Sequence, residues 1–116
     1  MKVEVPIRIE SVANLREHWA AKAKRSREHR SAVWYSLKAT RAPHVVPCTV
    51  TLTRIAPRTL DTDNLASGCK AARDGVADWL MVNDADPRVT WAYAQQTGAP
   101  KQYALMVEIE SEAEPV

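Results

Sequence analysis

Residues 3 to 10 alternate, with Val3, Val5, Ile7 and Ile9 apolar against Glu4, Arg8 and Glu10. A period of two predicts a half-buried strand. Pro6 within it predicts an edge position or a bulge, because proline has no N–H to give a ladder. From Ser11 to Thr40 there is neither glycine nor proline. Val12, Leu15 and Trp19 recur at helical spacing, and so do Val33, Trp34 and Leu37, but the segment KAKRSREHR between them has no apolar stripe beyond Ala23. The pattern predicts one long helix, or two broken near Ser26, whose middle is solvated or bound to a partner. Ala42-Pro43 ends it, since a residue before proline avoids the helical region.

Residues 44 to 55 are β-branched and alternating, a second strand. After Pro57, Leu60 to Asn64 reads as a short extended link. Leu65, Cys69, Ala72, Val76, Trp79 and Leu80 share one helical face, with Thr62 or Asp63 as the cap and with Gly68 and Gly75 weakening the helix. Asn83 to Pro87 is a turn, 88 to 94 a strand, 95 to 101 turn chemistry and 102 to 110 a last strand. The tail, 111 to 116, has no structure-forming pattern and is expected to be disordered. The fold expected is α/β: a single domain over 1–116, with a mixed sheet of about four strands packed with two helices.

The chain has 116 residues, enough for one domain and one modest core. No apolar run approaches a membrane span, and the N-terminus reads as a strand and not as a signal peptide, so a cytoplasmic protein is the simplest expectation. Cys48 and Cys69 lack zinc-site spacing and read as small buried apolar side chains. His18, His29 and His44 show no pairing motif and read as surface or partly buried residues, not ligands. The four tryptophans read as core residues. Trp19, beside the basic run, is the only one with an alternative reading, stacking on a base or wedging a junction.

Net charge is only +2, but its distribution is uneven. Basic residues crowd positions 16 to 41, while Asp74, Asp78, Asp84 and Asp86 make an acidic stretch and four glutamates lie between 108 and 114. A basic segment in a near-neutral chain points to a local polyanion contact. Lys22, Lys24, Arg25, Arg27 and Arg30 are the candidate phosphate contacts; a solvated helix face is the plainer alternative.

Asp61 and Asp63 stand two apart. In an extended segment such side chains point the same way, and two adjacent carboxylates repel unless a cation lies between them. Mg²⁺ prefers hard oxygen ligands, one or two carboxylates with waters and substrate phosphate. Capping and a solvated turn would account for the same pair. Asp84, beyond the helix at a proline-containing turn, would complete a site if the chain folds back. Lys70 and Asp74 are four apart, either a surface ion pair or a lysine facing phosphate. Asp78 is expected on the exposed helix surface.

The stretches Asp61-Thr62-Asp63-Asn64-Leu65, Lys70-Ala71-Ala72-Arg73-Asp74 and Asn83-Asp84-Ala85 together resemble the RusA family of Holliday junction resolvases, over roughly residues 50 to 110. The resemblance implies a Mg²⁺-dependent endodeoxyribonuclease, with Mn²⁺ as a substitute, that cuts four-way junctions by paired nicks as a homodimer. By motif match Asp61, Asp63 and Asp84 would hold the metal and Lys70 would join them in catalysis; Asp74 matches an acidic position of secondary role. The N-terminal half matches loosely, as in a divergent member of the kind phages and prophages carry. Lys70 follows Asp63 by seven positions where the family spacing is four. If the helix is continuous, four residues advance about 400° and seven about 700°. Lys70 would then stay near the same face, one turn further on; alternatively the extra residues lengthen the loop. Two other readings stay open: a non-catalytic DNA-binding or phage-assembly module, and a nuclease acting on flaps or other branches.

Overall fold

The structure is a computed structural model and describes residues 1–11 and 18–112. The element order is β1 (Lys2–Val5), α1 (Trp19–Thr40), β2 (Cys48–Ala56), α2 (Thr62–Gly68), α3 (Lys70–Leu80), β3 (Val89–Thr97) and β4 (Ala104–Ser111). The strands form one sheet in the order β1-β4-β2-β3. β4 is antiparallel to both β1 and β2, whereas β2 and β3 run parallel across the α2–α3 crossover. This is the mixed α/β sheet expected, with three helices where two were read.

Alternation builds the core. On β2, Cys48, Val50 and Leu52 point inward, and Leu105, Val107 and Ile109 do so on β4. Val33 and Leu37 of α1, Leu65 of α2 and Val76, Trp79 and Leu80 of α3 cover that face. Cys48 and Cys69 are buried free thiols, as expected; burial pushes the Cys69 thiol up to about 12.

Several boundaries differ from the pattern. Val12 and Leu15 lie outside the described residues. Trp19 opens α1 and is 75% exposed, so it does not serve the core. Trp79 is buried, and Trp34 and Trp91 pack against the core. α1 is unbroken at Ser26. β3 runs on through Gln95, Gln96 and Thr97, which read as turn, and Ser111 belongs to β4 and not to the tail. His29, read as surface or partly buried, is buried, and the loss of solvent holds its pKa below the ordinary value.

The helix expected from 65 to 80 is divided. Cys69 ends α2 and begins α3, its N–H meeting Leu65 O and Ser67 O. The adjacent Gly68 has a physical reason: a Cβ there would lie 2.7 Å from Glu10 O and 2.9 Å from Ile9 Cγ2. Gly75 plays the same part for helix packing, since its Cβ would lie 2.5 Å from Arg30 O of α1. The two glycines permit close approach of neighbouring backbone.

Candidate functional site

Asp61, and neither Thr62 nor Asp63, caps α2. Its Oδ1 accepts from Asn64 N–H at 2.8 Å and its Oδ2 from Asn64 Nδ2 at 2.9 Å. Asp61 keeps extended backbone angles while Asp63 lies in the first helical turn. The two-residue extended geometry that would align both carboxylates is therefore absent, because two helical steps turn a side chain by about 200°. The Asp63 carboxylate is exposed and makes no hydrogen bond or ion pair among the described residues.

The chain turns back at Asp84 and brings it to Lys70, not into a cluster with Asp61 and Asp63. Asn83 Oδ1 accepts from Ala85 N–H, and Asp86 Oδ1 accepts from Arg88 N–H, which turns the chain sharply. Asp84 O accepts from Arg73 Nη2 at 2.8 Å and Trp91 Nε1 at 3.1 Å, so the turn is tied to both α3 and β3. The Arg73 guanidinium also stacks over the Trp91 ring, 4.6 Å from its centroid.

Lys70 joins the pieces. Its Nζ donates to Asp74 at 2.7 Å, one helical turn on, and to Asp84 at 3.0 Å. The hydrogen bond to Asp74 and then that to Asp84 raise the Lys70 pKa, and the hydrogen bond from Lys70 depresses that of Asp84. Arg73 Nε lies 3.7 Å from Asp84 Oδ2, yet it is buried without a hydrogen bond among the described residues. The break at Cys69 settles the seven-residue spacing: Lys70 is the first residue of α3, not a late position on a helix begun at 62.

A cleft of about 720 Å³ lies between α1 and the α2–α3 segment. Lys22 and Arg25 line it from α1, with Asn64, Lys70, Arg73 and Asp74 opposite and Glu10 at one edge. Asp61, Asp63 and Asp84 do not line it. The remaining basic residues behave differently from one another. Arg30 makes a two-point pair with Asp78, at 2.5 and 2.8 Å. Asp78 is therefore a partner of α1, not an unengaged surface carboxylate. Lys24 lies 3.9 Å from Glu28 of its own helix. Arg27 is exposed.

Among the described residues no group of three or more His, Cys, Asp or Glu side chains is gathered to hold a metal ion. Asp61, Asp63 and Asp84 are thus not drawn together as a three-carboxylate cluster. The donor chemistry still suits a hard cation: among the described residues the Asp63 carboxylate is unengaged, and that of Asp84 meets only Lys70 and Arg73. Mg²⁺ needs no more than one or two carboxylates besides waters and phosphate.

No family model matches the chain, and no curated protein and no solved structure matches it either. Among the described residues no helix is long and apolar enough to cross a membrane.

Sequence reasoning missed Arg54. It is 7% exposed and donates from Nε to Ile9 O at 2.8 Å and from Nη1 to Arg58 O. The signal was available: Arg54 follows Cys48, Val50 and Leu52 on the inward phase of β2.

Proposed function

We propose that the chain is a RusA-like, Mg²⁺-dependent endonuclease acting on branched DNA, and that it works as a homodimer on four-way junctions. The observation that carries this reading is the cleft in which Lys22 and Arg25 of α1 face Lys70, with Asp74 and Asp84 both on the Lys70 ammonium. Phosphate binding at such a cleft draws on counterion release. By the motif match, Asp61, Asp63 and Asp84 are the residues that would hold Mg²⁺. Bound there, the ion supplies a Lewis acid for the scissile phosphate. Lys22 and Arg25 position the backbone. Lys70, on the cleft wall, would donate to a phosphate oxygen as negative charge develops. A junction has twofold pseudo-symmetry, so two copies related by a twofold axis would cut matching strands.

One observation favours a second reading, a non-catalytic DNA-binding or phage-assembly module. Asp61 is spent as a helix cap and Asp84 is held by Lys70, which are structural uses of both residues. A gel shift in EDTA paired with a cleavage assay in Mg²⁺ separates the two, using a four-way junction, a flap and a linear duplex. The nuclease reading expects junction cutting by the wild type. It expects none by Asp63→Asn or Asp84→Asn, with binding retained or tightened as an anionic group is neutralised. Wild type that binds junctions but never cuts assigns the non-catalytic role. Flap cutting without junction cutting moves the substrate class.

A further inference from the structure

A second pocket, of about 270 Å³, lies on the other side of Glu10, which lines both it and the cleft. Arg8, Ser11, Arg54 and Arg58 line it, with Tyr103. Arg54 is the unusual member. Arginine stays charged in any protein environment, and burying an unpaired charge is costly. Yet its acceptors are neutral: Ile9 O, Arg58 O and, at 3.5 Å, Gln95 Oε1. Among the described residues it has no carboxylate partner, and its Nη2 donates to nothing.

The same pocket contains a second unmet group. Ser11 is 7% exposed, and its buried Oγ has no hydrogen-bond partner among the described residues. Native interiors leave few such atoms unsatisfied. At the mouth, Arg8 stacks over the Tyr103 ring at 4.1 Å and pairs with Glu10 at 2.8 Å. The Arg58 side chain is exposed and engages no partner among the described residues. Three guanidiniums thus face one carboxylate. The planar fork of arginine suits a phosphate, which has oxygens enough to accept from several guanidiniums and from a hydroxyl together.

We propose that Arg8, Ser11, Arg54 and Arg58 form a phosphate-binding pocket that takes a backbone phosphate of a nucleic-acid strand passing from the cleft across Glu10. Arg54 and Ser11 supply fixed, buried donors at the bottom. Arg8 and Arg58 close on the phosphate from the rim. The pocket wall includes Pro57, Arg58 and Leu60, the residues leading into Asp61, so a strand held here runs alongside the start of α2. The proposal rests on the nucleic-acid part of the functional reading and not on cleavage.

The test is carried out in EDTA on the full chain labelled with ¹⁵N. Inorganic phosphate and a single-stranded oligonucleotide are titrated separately, and the Ser11, Arg58 and Tyr103 amides are followed. Both ligands should shift these amides, and the oligonucleotide should displace the phosphate. Arg8→Ala and Arg58→Ala, both on the exposed rim, should each shallow the dependence of log K on log salt for the oligonucleotide by about 0.7. Arg54→Lys, which keeps the charge but loses the fork, should weaken binding several-fold; the two rim variants carry the test if it does not fold. Silence of the amides toward the oligonucleotide overturns the proposal. A shift with inorganic phosphate alone also overturns it, by making the pocket a small-anion site. An unchanged salt slope in both rim variants does the same. A protein that passes these tests but never cuts in Mg²⁺ loses the nuclease reading alone.

Discussion

Two charged regions lie on either side of Glu10, and they differ in how their charges are matched. Beside the cleft, Lys70 meets Asp74 and Asp84, and Arg73 approaches Asp84 as well. In the smaller pocket, Arg54 is buried against neutral oxygens, and the Arg58 side chain engages nothing among the described residues. The first region must give up ion pairs before it can hold a cation or a phosphate. The second has Glu10 alone against three guanidiniums, and Arg8 already pairs with it. Net charge would rank the two alike; partnering separates them, because a matched charge has already spent its interaction energy within the fold.

The contrast breaks most visibly at Arg54. Arg54→Leu removes the donors that satisfy Ile9 O and Arg58 O, and an unmet buried acceptor costs about 1–3 kcal/mol. Urea denaturation should show a loss of roughly 2–4 kcal/mol in all. A stability within about 0.5 kcal/mol of wild type would mean that Arg54 is not a structural tie. Lys70→Ala should behave in the opposite way: Lys70 is exposed, so the urea midpoint should stay close to wild type. Junction cleavage should slow by about 10²-fold, as for other groups that stabilise transition-state charge. Cleavage at the wild-type rate would show that Lys70 never leaves its carboxylates for phosphate.

Replacing both Lys22 and Arg25 with alanine should shallow the salt dependence of duplex binding by up to roughly 1.8 in log K against log salt, at about 0.9 per contact. Lys24→Ala should change it little, since that side chain does not line the cleft. Equal slopes for the double variant and wild type would assign the basic run to solvent.

The smallest effect is expected at Asp78. The hydrogen bond from Arg30 holds its carboxyl below the ordinary 3.8. The stabilisation is therefore fully present above that ordinary value, and it is lost as pH falls through the lower folded-state value. Both side chains are about half exposed, so solvent screening leaves roughly 0.5 kcal/mol at neutral pH. Thermal melts of Asp78→Asn and wild type should differ slightly at pH 7 and converge in acid. A gap that persists in strong acid would place the effect in packing.

Much of the fold was legible because alternation and burial coincide: β2 and β4 show their inward phase directly in Cys48, Val50 and Leu52 and in Leu105, Val107 and Ile109. β3 was cut short because Gln95 looks like loop chemistry. Its side chain instead accepts from Leu60 N–H at 2.8 Å and donates to Leu60 O at 2.7 Å, so a polar residue secures the strand to the link before α2. Trp19 was misread because helical spacing says nothing about whether a neighbour faces that stripe. At the candidate site, a sharp turn at Asp84 was legible from Pro87, but its destination, Lys70 and not a cluster with Asp61 and Asp63, was not. The arrangement of Asp61 and Asp63 was not, since capping moves the helix start by only a residue yet redirects Asp63. The Arg30–Asp78 pair joins residues 48 apart in the chain, beyond the reach of any local pattern. Arg54 was overlooked although a charge on an inward phase is the most informative departure a strand can show.

Gly68 also sets a limit on how this sequence can drift. Ala66 and Ser67 beside it are at least partly exposed and can be exchanged at small cost. At position 68 even one methyl group would strike Glu10 O at 2.7 Å. The backbone it would displace carries the Glu10 side chain that stands between the cleft and the smaller pocket. Descendants of this chain can therefore remodel either surface separately, through Lys22 or through Arg58, but they inherit the alignment of the two from a single hydrogen atom.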